Sequence, residues 1–113
     1  MKAADATTGK ELAGNLTVAQ TFPARLKGLL GKKELPPGEG LWIKPCGSIH
    51  TFGMKFPIDA AFLDREMHVV GLAKSLQPNR VSPFFSKASS VLELPAGTLD
   101  ATDTVVGNRI EIA

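Results

Sequence analysis

Short apolar runs, cut apart by eight prolines and eleven glycines, extend along this chain, and only one segment carries helical spacing. Asn15 to Gln20 sets Leu16 and Val18 against polar Thr17 and Gln20, the alternation of a half-buried strand. Ile58 to Leu63 is almost wholly apolar, Asp64-Arg65-Glu66 reads as a turn, and Met67 to Leu72 reads as its hairpin partner. Leu41 to Lys44, Val91 to Leu94 and Arg109 to Ile112 complete the expected strands, with Pro45 ending the first of them. Within Val91 to Leu94, Leu92 and Leu94 share one side, Val91 and Glu93 the other.

The helical segment begins at Thr21, a good capping residue, and carries Pro23 in its first turn, where a missing N–H costs nothing. Phe22, Leu26, Leu29 and Leu30 form one apolar stripe, so the helix is expected to run to Gly28 or Leu30 before Gly31 stops it. Residues 35–40 read as a loop, Gln77 to Ala88 as a long irregular connection, and Thr98 to Asp103 as a short helical turn. Strands and helices do not alternate as βαβ units. The expectation is an α+β fold: a mainly antiparallel, strongly curled sheet or small barrel, with one N-terminal amphipathic helix packed on it.

A chain of 113 residues forms one domain, residues 1–113, by the usual length prior. It is large enough to bury roughly two-thirds of its unfolded surface without staples. Its apolar fraction of 43% excludes wholesale disorder. A formal charge of +2 with scattered basic residues points away from nucleic acid as a partner. No apolar run is long enough to cross a bilayer, so no membrane partner is expected. The opening lacks the apolar core of a secretory signal, and one cysteine cannot form an intrachain disulfide, which makes the cytoplasm the default location.

Chemistry concentrates between Leu41 and Asp64, which hold the only Cys, the only Trp, one of two His and three of six Phe. Cys46 and His50 are the first candidates. In a strand they would lie roughly 13 Å apart, but a helix or folded loop would bring them within about 6 Å. Gly47 and Ser48 allow such a turn. A thiol beside an imidazole is the nucleophile of covalent enzymes, and Asp59 is the nearest downstream carboxylate to orient the ring. The competing reading is Cys46 as a small packed hydrophobe. Cys46, His50, Asp59 and His68 also make an acceptable zinc set, but no CxxC or HxxxH spacing supports it, so neither metal nor cofactor is expected.

Arg25 is a candidate anion ligand or a structural brace to Asp59 or Glu93, since a carboxylate in an apolar strand must be solvated, hydrogen-bonded or paired. Trp42, Phe52 and Met54, with Phe56 and Phe62, form a candidate apolar wall, either ligand pocket or core. Phe84 and Phe85 are placed to cover or plug it.

Arg25-Leu26-Lys27-Gly28-Leu29-Leu30, Gly40-Leu41-Trp42, Ser48-Ile49-His50-Thr51-Phe52-Gly53-Met54 and Pro57-Ile58-Asp59 occur in that order. They are followed by Phe62-Leu63-Asp64, Val69-Val70 and Val91-Leu92-Glu93-Leu94-Pro95-Ala96-Gly97. The ordered set, from about Thr21 to Ile112, resembles domain-of-unknown-function family 192, in its Ile-His-Thr subgroup. The resemblance implies a small, β-rich α+β domain with no assigned activity, and it carries over no catalytic residue. The leading expectation is a small binding or accessory domain whose ligand lies beside residues 46–59. The partner would be a small molecule or another protein. Two alternatives stand beside it: a thiol-dependent hydrolase or transferase using Cys46 and His50, and a protein-interaction module with no small-molecule site.

Overall fold

The computed structural model describes the backbone of residues 1–113 and every side chain except those of Phe22 and Leu26. Its elements follow the order β1 (Ala3–Asp5), β2 (Lys10–Ala13), β3 (Asn15–Ala19), α1 (Phe22–Lys27), β4 (Glu39–Ile43), β5 (Ile58–Leu63), β6 (Val69–Leu76), β7 (Ser90–Pro95), α2 (Thr98–Ala101) and β8 (Ile110–Ile112). They build two sheets, one of three strands ordered β2-β1-β8 and one of five ordered β3-β4-β7-β5-β6.

The larger sheet is buried on both faces, which is why β5 and β7 are apolar almost throughout. One face carries Leu16, Ala61, Leu63, Leu92 and Leu94 and packs against Ala3, Leu12 and Ile110 of the smaller sheet. The other carries Ile43, Ile58, Ala60, Phe62 and Val91 and is covered by Leu29, Ile49 and Met54 from irregular segments. Neither sheet closes on itself. The expected barrel and strong curl give way to an open pair of sheets, because β3 and β6 remain separate edges of the larger one.

The expected helix is present but does not open the chain, since three strands precede it. Thr21 caps it as expected, its Oγ1 accepting the Ala24 N–H at 3.3 Å. It stops at Lys27, short of Leu30, because Gly28 turns to φ 48° and leaves helical space. Leu29 is buried beyond that stop; Phe22 and Leu26, the other half of the expected stripe, lie outside the described side chains.

All strand pairs are antiparallel except β3 with β4. Parallel neighbours need a crossover connection, and here it runs through α1 and residues 28–38. This βαβ unit was not evident from the strand pattern. It sets α1 over the face that holds Val91, and so positions the site described below.

Strands β1 and β2 also escaped the sequence reading. Their organiser is Asp5, fully buried, whose carboxylate accepts from Thr7 N, Thr8 N, Thr104 Oγ1 and Asn108 Nδ2 at 2.8–3.0 Å. Burial alone raises its pKa, but these donors together outweigh that effect and hold it below the ordinary carboxylate value. Half of the donors lie about a hundred residues away, so no local pattern could reveal the role.

Phe85 packs on Phe62 with ring centroids 4.6 Å apart and its edge lies directly on Gly71. A Cβ at position 71 would overlap that ring. Gly71→Ala should therefore cost roughly 1–3 kcal/mol through displacement of Phe85, measurable as a lower urea midpoint. An unchanged midpoint would show that the ring is free to swing aside.

Candidate functional site

Residues 45–57 form turns, not a strand, and they are fastened to the 77–82 connection. Thr51, fully buried, donates through Oγ1 to the Gln77 carbonyl (2.6 Å) and accepts from Arg80 N (2.9 Å). Ile49 N donates to Ser82 Oγ, and Ser82 N returns a bond to the Ile49 carbonyl, both at 2.9 Å. These clips fix the segment on one side, with α1 and the turn after it on the other. Between them lies a cleft of about 340 Å³. Arg25, Lys27, Leu29 and Leu30 line it from α1 and the turn after it, and Cys46 to His50 with Met54 line it from the loop. Ile43 and Glu93 come from the sheet, and Phe84 stands at the rim, 73% exposed.

Of the residues singled out from sequence, Arg25, Cys46, His50 and Met54 converge on this cleft. Asp59, Trp42 and Phe52 do not. Asp59 is 1% exposed and spends both oxygens on backbone: Oδ1 accepts from Ser75 N, Oδ2 from Gly97 N and Leu99 N. It is a structural carboxylate, neither a catalytic orienter nor a brace for Arg25. The expected apolar wall is broken at Phe52, because Gly53 turns to φ 81°. Met54 is consequently buried while Phe52 is exposed, stacked on the His50 ring at 5.3 Å. Trp42 points to the opposite side of the sheet from Ile43 and carries Lys44 Nζ 4.1 Å from its ring centre. It borders a different hollow with Asp64, Arg65 and Ser90. The four-residue zinc set is likewise dispersed, since His68 sits by the Asp64 turn and Asp59 is fully engaged elsewhere.

Cys46 and His50 share the cleft, each hydrogen-bonded to backbone. The thiol donates to the Ser48 carbonyl, with sulfur 3.0 Å from oxygen. His50 Nδ1 accepts from Phe52 N at 3.3 Å, and no hydrogen bond joins it to sulfur among the described residues. Burial pushes the thiol pKa up; the hydrogen bond at the Ser48 backbone opposes it in part, the nearby Glu93 carboxylate adds to the rise, and Arg25 opposes it least. A nucleophilic cysteine needs the reverse shift. Iodoacetamide at pH 7.5 should therefore alkylate Cys46 more slowly than free cysteine; faster reaction would restore the thiol-enzyme reading.

Glu93 is the group that sequence reading undervalued. It rises from β7, the central strand, between Leu41 of β4 and Ala60 of β5. It is 4% exposed, lines the cleft, and makes neither hydrogen bond nor ion pair among the described residues. Burial alone pushes its pKa up to about 7. The expected pairing with Arg25 is absent, because the ion pairs of the described residues are Lys10–Asp103, Lys74–Asp100 and Arg109–Glu111. One signal was available: alternation put Glu93 on the same side as Val91, and Val91 is fully buried. An acid on a buried side is either partnered or functional.

The sequence profile of DUF192, described as an uncharacterized ACR, matches residues 4–112. The chain belongs to the DUF192 family. It is 33% identical to a UPF0127 protein of Thermococcus sibiricus, over 93% of this chain and 70% of that one. A UPF0127 protein of Pyrococcus furiosus is 31% identical, over 93% of this chain and 92% of its own. A crystal structure of a protein of unknown function from Novosphingobium aromaticivorans shares the fold, with a TM-score of 0.87 at 21% identity, covering 99% of this chain and 84% of the other. The match begins seventeen residues before the resemblance seen at Thr21 (4 against 21), so β1 and β2 belong to the DUF192 domain. DUF192 is a family of uncharacterised function.

Proposed function

We propose that this DUF192 protein is a small-molecule-binding domain whose ligand lies in the cleft between α1 and the 45–54 segment, over Glu93. The observation that carries the reading is Glu93 itself. A carboxyl that is buried, unpartnered and open to a cavity costs stability unless something fills the site. The cleft volume, about 340 Å³, sits at the lower end of the range for ligand pockets, roughly 300–1,000 Å³, and its walls are mostly apolar with a few polar groups. The ligand is therefore compact.

A thiol-dependent enzyme has less support, since Cys46 is held as a thiol and His50 is turned to the backbone. A metabolite-library screen by amide chemical shifts tests the reading. Ligands should move the amides of Gly28, Gly47, Ser48 and Glu93, and Glu93→Gln should weaken binding at least tenfold. No ligand from a broad library, or shifts confined to residues outside the cleft, would overturn it.

A further inference from the structure

Resting on that cleft as a binding site, we infer that its ligand is a zwitterion with an apolar body, namely a free apolar α-amino acid. The cleft holds two opposite charges that ignore one another. Arg25 enters from α1 and Glu93 from the sheet, yet no ion pair joins them among the described residues. Each acts on Cys46, Glu93 raising its pKa and Arg25 lowering it, so both lie near the same thiol. A ligand carrying only a cation would satisfy Glu93 and leave Arg25 facing its own charge deficit. A ligand carrying only an anion would set a negative group over an acidic floor. A dipolar molecule satisfies both, with its ammonium toward Glu93 and its carboxylate toward Arg25.

The remaining surface specifies the body of the molecule. Leu29, Ile43, Ile49 and Met54 offer apolar contacts, so an apolar side chain finds its partners there. The small volume argues against a peptide of several residues. Lys27, exposed on the same helix, adds positive charge to the lining. Ionisation of Glu93 is the step that ligand binding assists. Its pKa of about 7 in the empty cleft leaves it partly protonated at neutral pH, and an ammonium beside it draws the proton off.

The test is a titration of the full chain, read by amide shifts, with four probes of matched hydrocarbon size. L-leucine carries both charges, isoamylamine only the cation, isocaproate only the anion, and isoamyl alcohol neither. Leucine should bind at least tenfold more tightly than the other three, moving the Gly28, Gly47, Ser48 and Glu93 amides. Glu93→Gln should abolish the advantage of leucine over isocaproate, and Arg25→Gln its advantage over isoamylamine. Glu93→Gln keeps side-chain shape, Arg25→Gln shortens the side chain, and the melting temperatures of both confirm folding. Equal shifts from the alcohol or either single-charge probe at these amides would overturn the zwitterion while keeping the cleft as a site. Absence of shifts from every probe would overturn the zwitterion too, and the library screen then decides on the cleft itself.

Discussion

Asp59→Ala should lower the unfolding free energy by about 3–5 kcal/mol, one of the largest effects expected of any single substitution in this chain. The reason is geometric. The Asp59 carboxylate accepts three backbone N–H groups from two separate segments: Ser75 in β6 at 2.8 Å, and Gly97 and Leu99 at the start of α2 at 3.1 and 2.9 Å. Pairing of β5 with β6 slips between Ile58 and Ala60, and Ser75, opposite that slip, holds φ at 49°. A non-glycine residue there is strained, and its bond to Asp59 holds it in place. Alanine removes all three bonds to the charged carboxylate at once and leaves the buried Leu99 N–H without a partner, while Ser75 and Gly97 are exposed. Asn retains one acceptor oxygen and should cost about half as much. Urea denaturation measures the loss, and hydrogen exchange should show Ser75, Gly97 and Leu99 losing protection together. A cost under about 1 kcal/mol would mean the carboxylate does not organise these segments.

Glu93→Gln should act in the opposite direction and depend on pH. The carboxyl has an ordinary value of 4.5 and rises to about 7 in the folded chain through burial. Between those values the native state keeps a proton that the unfolded chain has released. Stability therefore falls as pH rises from 4.5 to 7, and the full penalty is present above 7. The shift corresponds to about 3 kcal/mol. Gln cannot ionise, so the variant should match the wild type near pH 4.5 and exceed it at pH 8 by up to about 3 kcal/mol, roughly 10 °C in melting temperature. The neighbouring Cys46 does not imitate this, since it keeps its proton more firmly than usual. Asp5 has the reverse sign, its contribution being lost only as pH falls below its ordinary value of 3.8, outside the window compared. A variant less stable than the wild type at pH 8 would reveal a stabilising partner for Glu93 and remove the basis for a ligand there.

A native state weakened at neutral pH by one buried acid is what the proposed site requires, since binding would recover the cost. Glu93 and Asp59 make the contrast plain. Both are carboxylates in apolar strands, both nearly inaccessible, and the sequence presents them alike. One has all its oxygens engaged by backbone; the other has none engaged and opens onto a cavity. Asp59 appeared the better functional candidate only because it follows Cys46 and His50 along the chain.

Elements whose cause is local were legible. The Ile58–Leu63 run, the Val91–Leu94 alternation and the Thr21 cap each depend on residues a few positions apart, and each is found where periodicity and capping put it. β1 and β2 were not legible, because their organising contacts run from Asp5 to Thr104 and Asn108. The parallel pairing of β3 with β4 was hidden for a related reason, since strand direction depends on what the crossover packs against and not on the strand itself.

The chain's own residues determined its family, its β-rich character and the segment from which a site would be built, because hydrophobic periodicity and turn chemistry act over short distances. Only the folded arrangement decided which charges meet. It sent Asp59 to the backbone, Trp42 to the far side of the sheet and Glu93 to the floor of the cleft, because burial and hydrogen bonding are properties of neighbours brought together from distant parts of the polypeptide.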